Sequence, residues 1–134
     1  MKVTRINPAT LYNSVQYGFS HATLQDGGRT LHMAGQVAWD SSGGLVGAND
    51  LGAQTRQALA NLRAVLAAVD AHPRDIVRLR TYVVNHTPDK IAIVMPAIGA
   101  FFEGELPAPN TFIGVAALAL PDFLIEIEAT AAVG

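Results

Sequence analysis

Cysteine is absent from the 134-residue chain. Its absence excludes disulfides, thiolate metal sites and a cysteine nucleophile, and is compatible with a reducing compartment. Charge is also scarce: 15% of the residues are Asp, Glu, Lys or Arg, against about 25% in ordinary soluble domains. The net charge of −2 offers no basic surface to neutralise phosphates, so a nucleic-acid partner is not expected. No apolar run approaches the roughly 18 residues of a membrane span. The opening MKVTRINPAT has no apolar signal core, so a cytoplasmic protein without a membrane partner is expected. Half of the residues are apolar; with so little charge, some surface should face another subunit rather than water, which predicts a homo-oligomer. The length predicts one domain over residues 1–134.

Periodicity supplies the elements. Val3 alternates with Lys2 and Thr4 in a first strand over residues 1–6, ended by Asn7-Pro8. Residues 17–24 read as a strand with Phe19, His21 and Thr23 on one side, and residues 30–37 as the next. The Gln25–Arg29 turn between them predicts a hairpin. A glycine-rich loop over residues 40–50 leads to the clearest helix, residues 51–69, with Leu51, Ala58, Leu59, Leu62, Val65, Leu66 and Val69 in its stripe. His72-Pro73 stops it. Residues 76–84 alternate Val77, Leu79, Thr81 and Val83 with Arg78, Arg80 and Tyr82. Thr87-Pro88 opens a second helical stripe (Ile91, Val94, Met95, Ile98, Phe101), which Pro96 should kink or split. Two strands lie within residues 107–133, the second of them IEIEA. The order β-β-β-α-β-α-β-β predicts an α/β (α+β) fold with two helices on one face of a single sheet. That leaves the other face for a partner copy.

The four histidines, His21, His32, His72 and His86, form no paired metal-ligand spacing, so no metal is expected. His21 and His32 could meet across the predicted hairpin. No serine sits in G-x-S-x-G, and the Gly43-Gly44 loop lacks a G-K-[ST] ending. Arg78 and Arg80 share a strand face and could bind an anion or simply pair with carboxylates. Glu126 and Glu128 stand in line on the last strand, where residues i and i+2 point the same way. They are either a solvated strand face or, screened from water, a proton shuttle near neutrality.

Several pieces together resemble the Rid family of reactive intermediate deaminases (YjgF-like, long labelled "endoribonuclease L-PSP"). They are Tyr17-Gly18-Phe19-Ser20-His21, Met33-Ala34-Gly35-Gln36-Val37, the Gln54–Leu62 helix segment QTRQALANL, Thr81-Tyr82-Val83-Val84, Phe101-Phe102, Pro107-Ala108 and Ile125-Glu126-Ile127-Glu128-Ala129. The resemblance implies a chorismate-mutase-like fold and a homotrimer with a small-molecule cleft at each subunit interface. It also implies hydrolysis of imines and enamines to a carbonyl and ammonia, without a cofactor. Active members use an arginine after the Pro-Ala dipeptide to fork onto a substrate carboxylate, and the first glutamate of I-E-I-E-A to act through a water. Here that glutamate is Glu126 and the arginine position falls on Asn110. A position often held by cysteine is Phe112, and an early tyrosine position is Phe19. Exchanging a charge-assisted pair for a neutral contact costs about 2–5 kcal/mol of binding at a buried site. The expected pocket is lined by Phe19, Gly35, Asn110, Phe112 and Glu126, with Glu126 as general acid/base and Asn110 orienting a less anionic substrate. The alternative from another class is a non-catalytic metabolite-binding or regulatory trimer.

Overall fold

The computed structural model describes residues 1–134. Strands β1 (Lys2–Ile6), β2 (Ala22–Asp26) and β3 (Arg29–Gln36) precede helix α1 (Leu51–Ala67). Strand β4 (Ile76–Val84), helix α2 (Ile91–Phe101) and strands β5 (Asn110–Val115) and β6 (Ile125–Val133) complete the chain. The element order is the expected one. The main sheet has the order β3-β6-β4-β5; β6 is antiparallel to both neighbours and β5 runs parallel to β4.

The expected β2–β3 hairpin is not what forms. Gly27 and Gly28, both left-handed (φ 75° and 83°), link the two strands, but β2 pairs with β1 and β3 with β6. His21 and His32 therefore do not face each other across a ladder. Arg5 ties the β1–β2 pair to the main sheet: its Nη1 donates to Thr23 Oγ1 at 2.9 Å and to the Ile76 carbonyl at 2.6 Å.

The segment before β2 also departs from expectation, since residues 17–21 are not strand. Val15–Tyr17 is a 3-10 turn closed by Gly18 at φ 90°. The backbone after it is held by a side chain: Asn7 Oδ1 accepts from His21 N at 2.8 Å, and Asn7 Nδ2 donates to Ser20 Oγ at 3.2 Å. A local polar clamp thus replaces the ladder.

Helix α1 starts where Asp50 accepts from Ala53 N at 3.0 Å, an N-cap carrying the charge that suits this end of the dipole. It ends before Val69, which stays exposed, because Asp70 turns left-handed (φ 55°) and Ala71 N reaches back to the Leu66 carbonyl at 2.9 Å. Helix α2 follows a 3-10 turn at Pro88–Lys90 and runs through Pro96 as one helix. Pro96 and Ala92 are both exposed, so water can bond the carbonyl that the proline leaves without a donor.

Both helices cover one face of the main sheet. Leu59, Leu62 and Leu66 of α1 and Val94 and Ile98 of α2 pack on Leu79, Val83, Ile125, Ile127 and Ala129. The alternating residues Arg78, Arg80, Tyr82, Glu126, Glu128 and Thr130 point to the opposite face, which no element of the chain covers.

Candidate functional site

The sheet's alternation divides the expected site residues into two groups. Asn110 and Phe112 share a face of β5, because residues i and i+2 of a strand point the same way. Asn110 accepts at its Oδ1 from the hydroxyl of Thr81 at 3.1 Å. Thr81 is fully buried in phase with Leu79 and Val83, so this is the helix-facing side. There an aromatic cleft of about 580 Å³ opens between the start of α2 and β5. Tyr12, Tyr17 and Phe19 form one wall, Ile91 and Met95 another, and Asn110, Phe112 and His86 the floor. Phe19 stands edge-on to Tyr12 with ring centroids 6.3 Å apart.

Glu126 and Gly35 form the second group, on the uncovered face. Glu126 pairs in register with Tyr82 of β4 and flanks the bulge of β3 between Met33 and Gln36. Its carboxyl arm lies across Gly35: a Cβ there would stand 2.7 Å from Glu126 Cδ and 2.8 Å from Cγ. Only glycine leaves that path open. Beside it, the Tyr82 hydroxyl donates to Glu128, and Arg80 Nη1 stands 3.7 Å from the same carboxylate. The bond to Glu128 raises the Tyr82 pKa above its ordinary value, with desolvation a smaller cause.

The structure thus brings Phe19, Asn110 and Phe112 together, and separately Gly35 and Glu126. It does not bring the two sets together within one chain. Arg78 and Arg80 stand on the Glu126 side, so neither supplies from its own chain the charge that Asn110 lacks. Tyr12, Tyr17, Met95 and His86 belong to the cleft but were not among the expected site residues: Tyr17 stood in a motif, Met95 in a helical stripe and His86 among the unpaired histidines. The best clue to His86 was Gly114: a Cβ there would stand 2.9 Å from His86 Cβ, so the glycine makes room for it. The His86 ring then leans on Phe112 at 4.8 Å between centroids.

This architecture is that of a small α/β protein with an aromatic cleft and a glycine-seated glutamate. The family model described as endoribonuclease L-PSP matches residues 12–133. The chain belongs to this family, the Rid/YjgF proteins. It is similar to a Rid-family protein, YyfB, from Yersinia pestis, with 62% identity and a TM-score of 0.97 over 99% of this chain and 100% of that one. It is 33% identical to the rat 2-iminobutanoate/2-iminopropanoate deaminase over 87% of this chain and 80% of the relative. A RutC family protein of Pyrococcus horikoshii is 32% identical over 78% and 79%.

Proposed function

We propose that this protein is a cytoplasmic Rid-type homotrimer. In this reading it hydrolyses a small imine, enamine or related carbonyl metabolite in a pocket between subunits, without a cofactor. The observation that carries the reading is the Gly35–Glu126 pair. A carboxylate seated over a glycine, on a sheet face that its own chain leaves uncovered, is poised to become a screened base once a second copy covers it. The similarity to an imine deaminase supports the same chemistry.

In the proposed step, Glu126 accepts a proton from water as the water oxygen bonds to the imine carbon, and the imine nitrogen takes up a proton from solvent. Glu126 then returns its proton to the nitrogen of the carbinolamine. The C–N bond breaks and ammonia leaves while the hydroxyl oxygen gives up its proton to solvent and the C=O bond forms. Asn110, on the helix-facing side, orients the substrate.

An imine-trapping assay tests this. An amino-acid oxidase generates α-imino acids in situ, a flavin amine oxidase generates uncharged imines, and semicarbazide captures what is not hydrolysed. Wild type is expected to lower the trapped product for at least one of the two imine classes and Glu126→Ala to lose that effect. Equal rates for the two proteins would remove Glu126 from the chemistry. Asparagine in place of the family's arginine favours one alternative, a metabolite-binding trimer without turnover. A wild type silent on α-imino acids whose Asn110→Arg variant gains activity would mean that the fold is competent and its natural ligand is something else, and silence of wild type and both variants would select the alternative.

A further inference from the structure

Two buried polar atoms in this molecule have no hydrogen-bond partner: Nδ1 of His86 and Nδ2 of Asn110. Both are atoms of residues that line the same aromatic cleft. An unpaired buried polar atom costs free energy that a partner would recover, so two of them in one concave site mark where a ligand is met. The Asn110 amide is already oriented, because its oxygen is engaged by the fully buried Thr81 and its NH₂ is left to donate. His86 is fixed on its flanks by Phe112 and by the absence of a side chain at Gly114.

The cleft's charge is as informative as its polar atoms. None of the residues lining it is Lys, Arg, Asp or Glu. The nearest lysine in sequence, Lys90, donates to the carbonyls of Val84 at 3.2 Å and Asn85 at 2.8 Å. Within one chain, a carboxylate entering here would lose its hydration and find no lysine or arginine in exchange. An uncharged planar group would keep its pairing and gain the ring faces of Phe19, Tyr12 and Phe112.

We infer that His86 is a ligand-contacting residue and that His86 and Asn110 together select an uncharged, planar, amide- or imine-like group attached to an aromatic or bulky apolar body. This inference rests on the proposed use of the cleft as the substrate pocket and narrows its substrate class from α-imino acids to neutral imines or carbonyl compounds. The Asn110 NH₂ donates to the ligand's acceptor, and His86 Nδ1 meets the adjacent donor or acceptor according to its tautomer.

Benzamide and benzoate are nearly isosteric probes that differ in this respect. Their binding is measured by ligand-observed NMR and calorimetry on the full-length protein. Wild type is expected to bind benzamide at least about tenfold more tightly than benzoate, the size of effect that a single unpaired buried group produces. His86→Phe keeps the ring packing and should lose most of that preference, with its melting temperature followed in parallel to separate binding from folding. Asn110→Arg should reverse the preference toward benzoate. Equal affinities, a preference for benzoate, no binding of either probe, or a His86→Phe protein that still discriminates would each overturn the inference. Glu126→Gln separates the two readings, since it should abolish imine hydrolysis yet keep benzamide selectivity. Loss of selectivity with turnover intact defeats only the ligand assignment. Selectivity without any turnover defeats only the enzyme.

Discussion

Glycine at position 35 makes room for the side chain of Glu126, 91 residues further along the chain. In Gly35→Ala the new methyl would overlap the Glu126 arm, whose Cγ lies 2.8 Å from the Cβ position. The carboxylate must swing away, while the β3 bulge accommodates the methyl for about 1–3 kcal/mol. Imine turnover should therefore fall at least about tenfold, which corresponds to about 1.4 kcal/mol of lost transition-state stabilisation. Combining Gly35→Ala with Glu126→Ala should cost no more turnover than Glu126→Ala alone; an additive loss would show that Gly35 acts elsewhere. A second prediction at this scale concerns protons. Glu128 holds the Tyr82 phenol in its neutral form and raises its pKa from 10.0. A raised value means that the folded state favours the protonated phenol. That contribution to stability is whole below the ordinary tyrosine range and is lost as pH rises through the raised value. In a phenolate absorbance titration Tyr82 should ionise in a late step, above the ordinary tyrosine range. Tyr82→Phe should delete that late step, and Glu128→Gln should move it back toward 10. A late step that survives both changes would belong to another tyrosine.

At the scale of elements, Gln54 joins parts that the sequence keeps far apart. It is fully buried in α1. Its Nε2 donates to the carbonyls of Gly47 at 3.1 Å and Asp122 at 3.0 Å, and its Oε1 accepts from Leu124 N at 2.9 Å. The helix start, the glycine-rich loop and the entry to β6 are thereby locked together. Gln54→Leu keeps the volume but strands three backbone groups, so it should destabilise by about 2–4 kcal/mol. Urea unfolding would read this as a lower midpoint, and an unchanged midpoint would mean that water replaces the amide. The linear pattern showed α1, β4 and β6 well, because each carries one consistent apolar period. It failed at residues 17–21, where Asn7 rather than a neighbouring strand satisfies the backbone. It also failed at Val69, because a left-handed Asp70 is a backbone event that apolar spacing does not encode. The five site residues were legible as types, and Glu126 was legible as opposite in phase to Ile125 and Ile127. Their division into two groups was not. Strand β5 is apolar in both phases, Phe112 against Ile113 and Val115, so nothing in its sequence says which phase meets the helices.

For the whole molecule, that division constrains the assembly. Asn110 opens toward the helix side and Glu126 toward the bare side of one sheet. No side-chain rotation within a chain crosses a hydrogen-bonded sheet, so a pocket using both must draw them from different copies. A two-fold contact joins them only where cleft rim and bare face belong to one patch, since residue i then meets residue j and j meets i. A head-to-tail contact sets the rim of one copy's cleft against the bare face of the next without that condition, and gives a ring where the rotation closes. The low charge fits, since Tyr82, Val84, Ile113 and Val115 all belong to the bare side. Sedimentation velocity should find a trimer. Ile113→Lys places an ammonium in that interface, where burying an unpaired charge costs several kcal/mol, so the protein should sediment as monomer with its circular dichroism unchanged. Imine turnover should disappear with the trimer. A monomeric wild type, or an Ile113→Lys monomer that retains full turnover, would require Asn110 and Glu126 to work in separate sites.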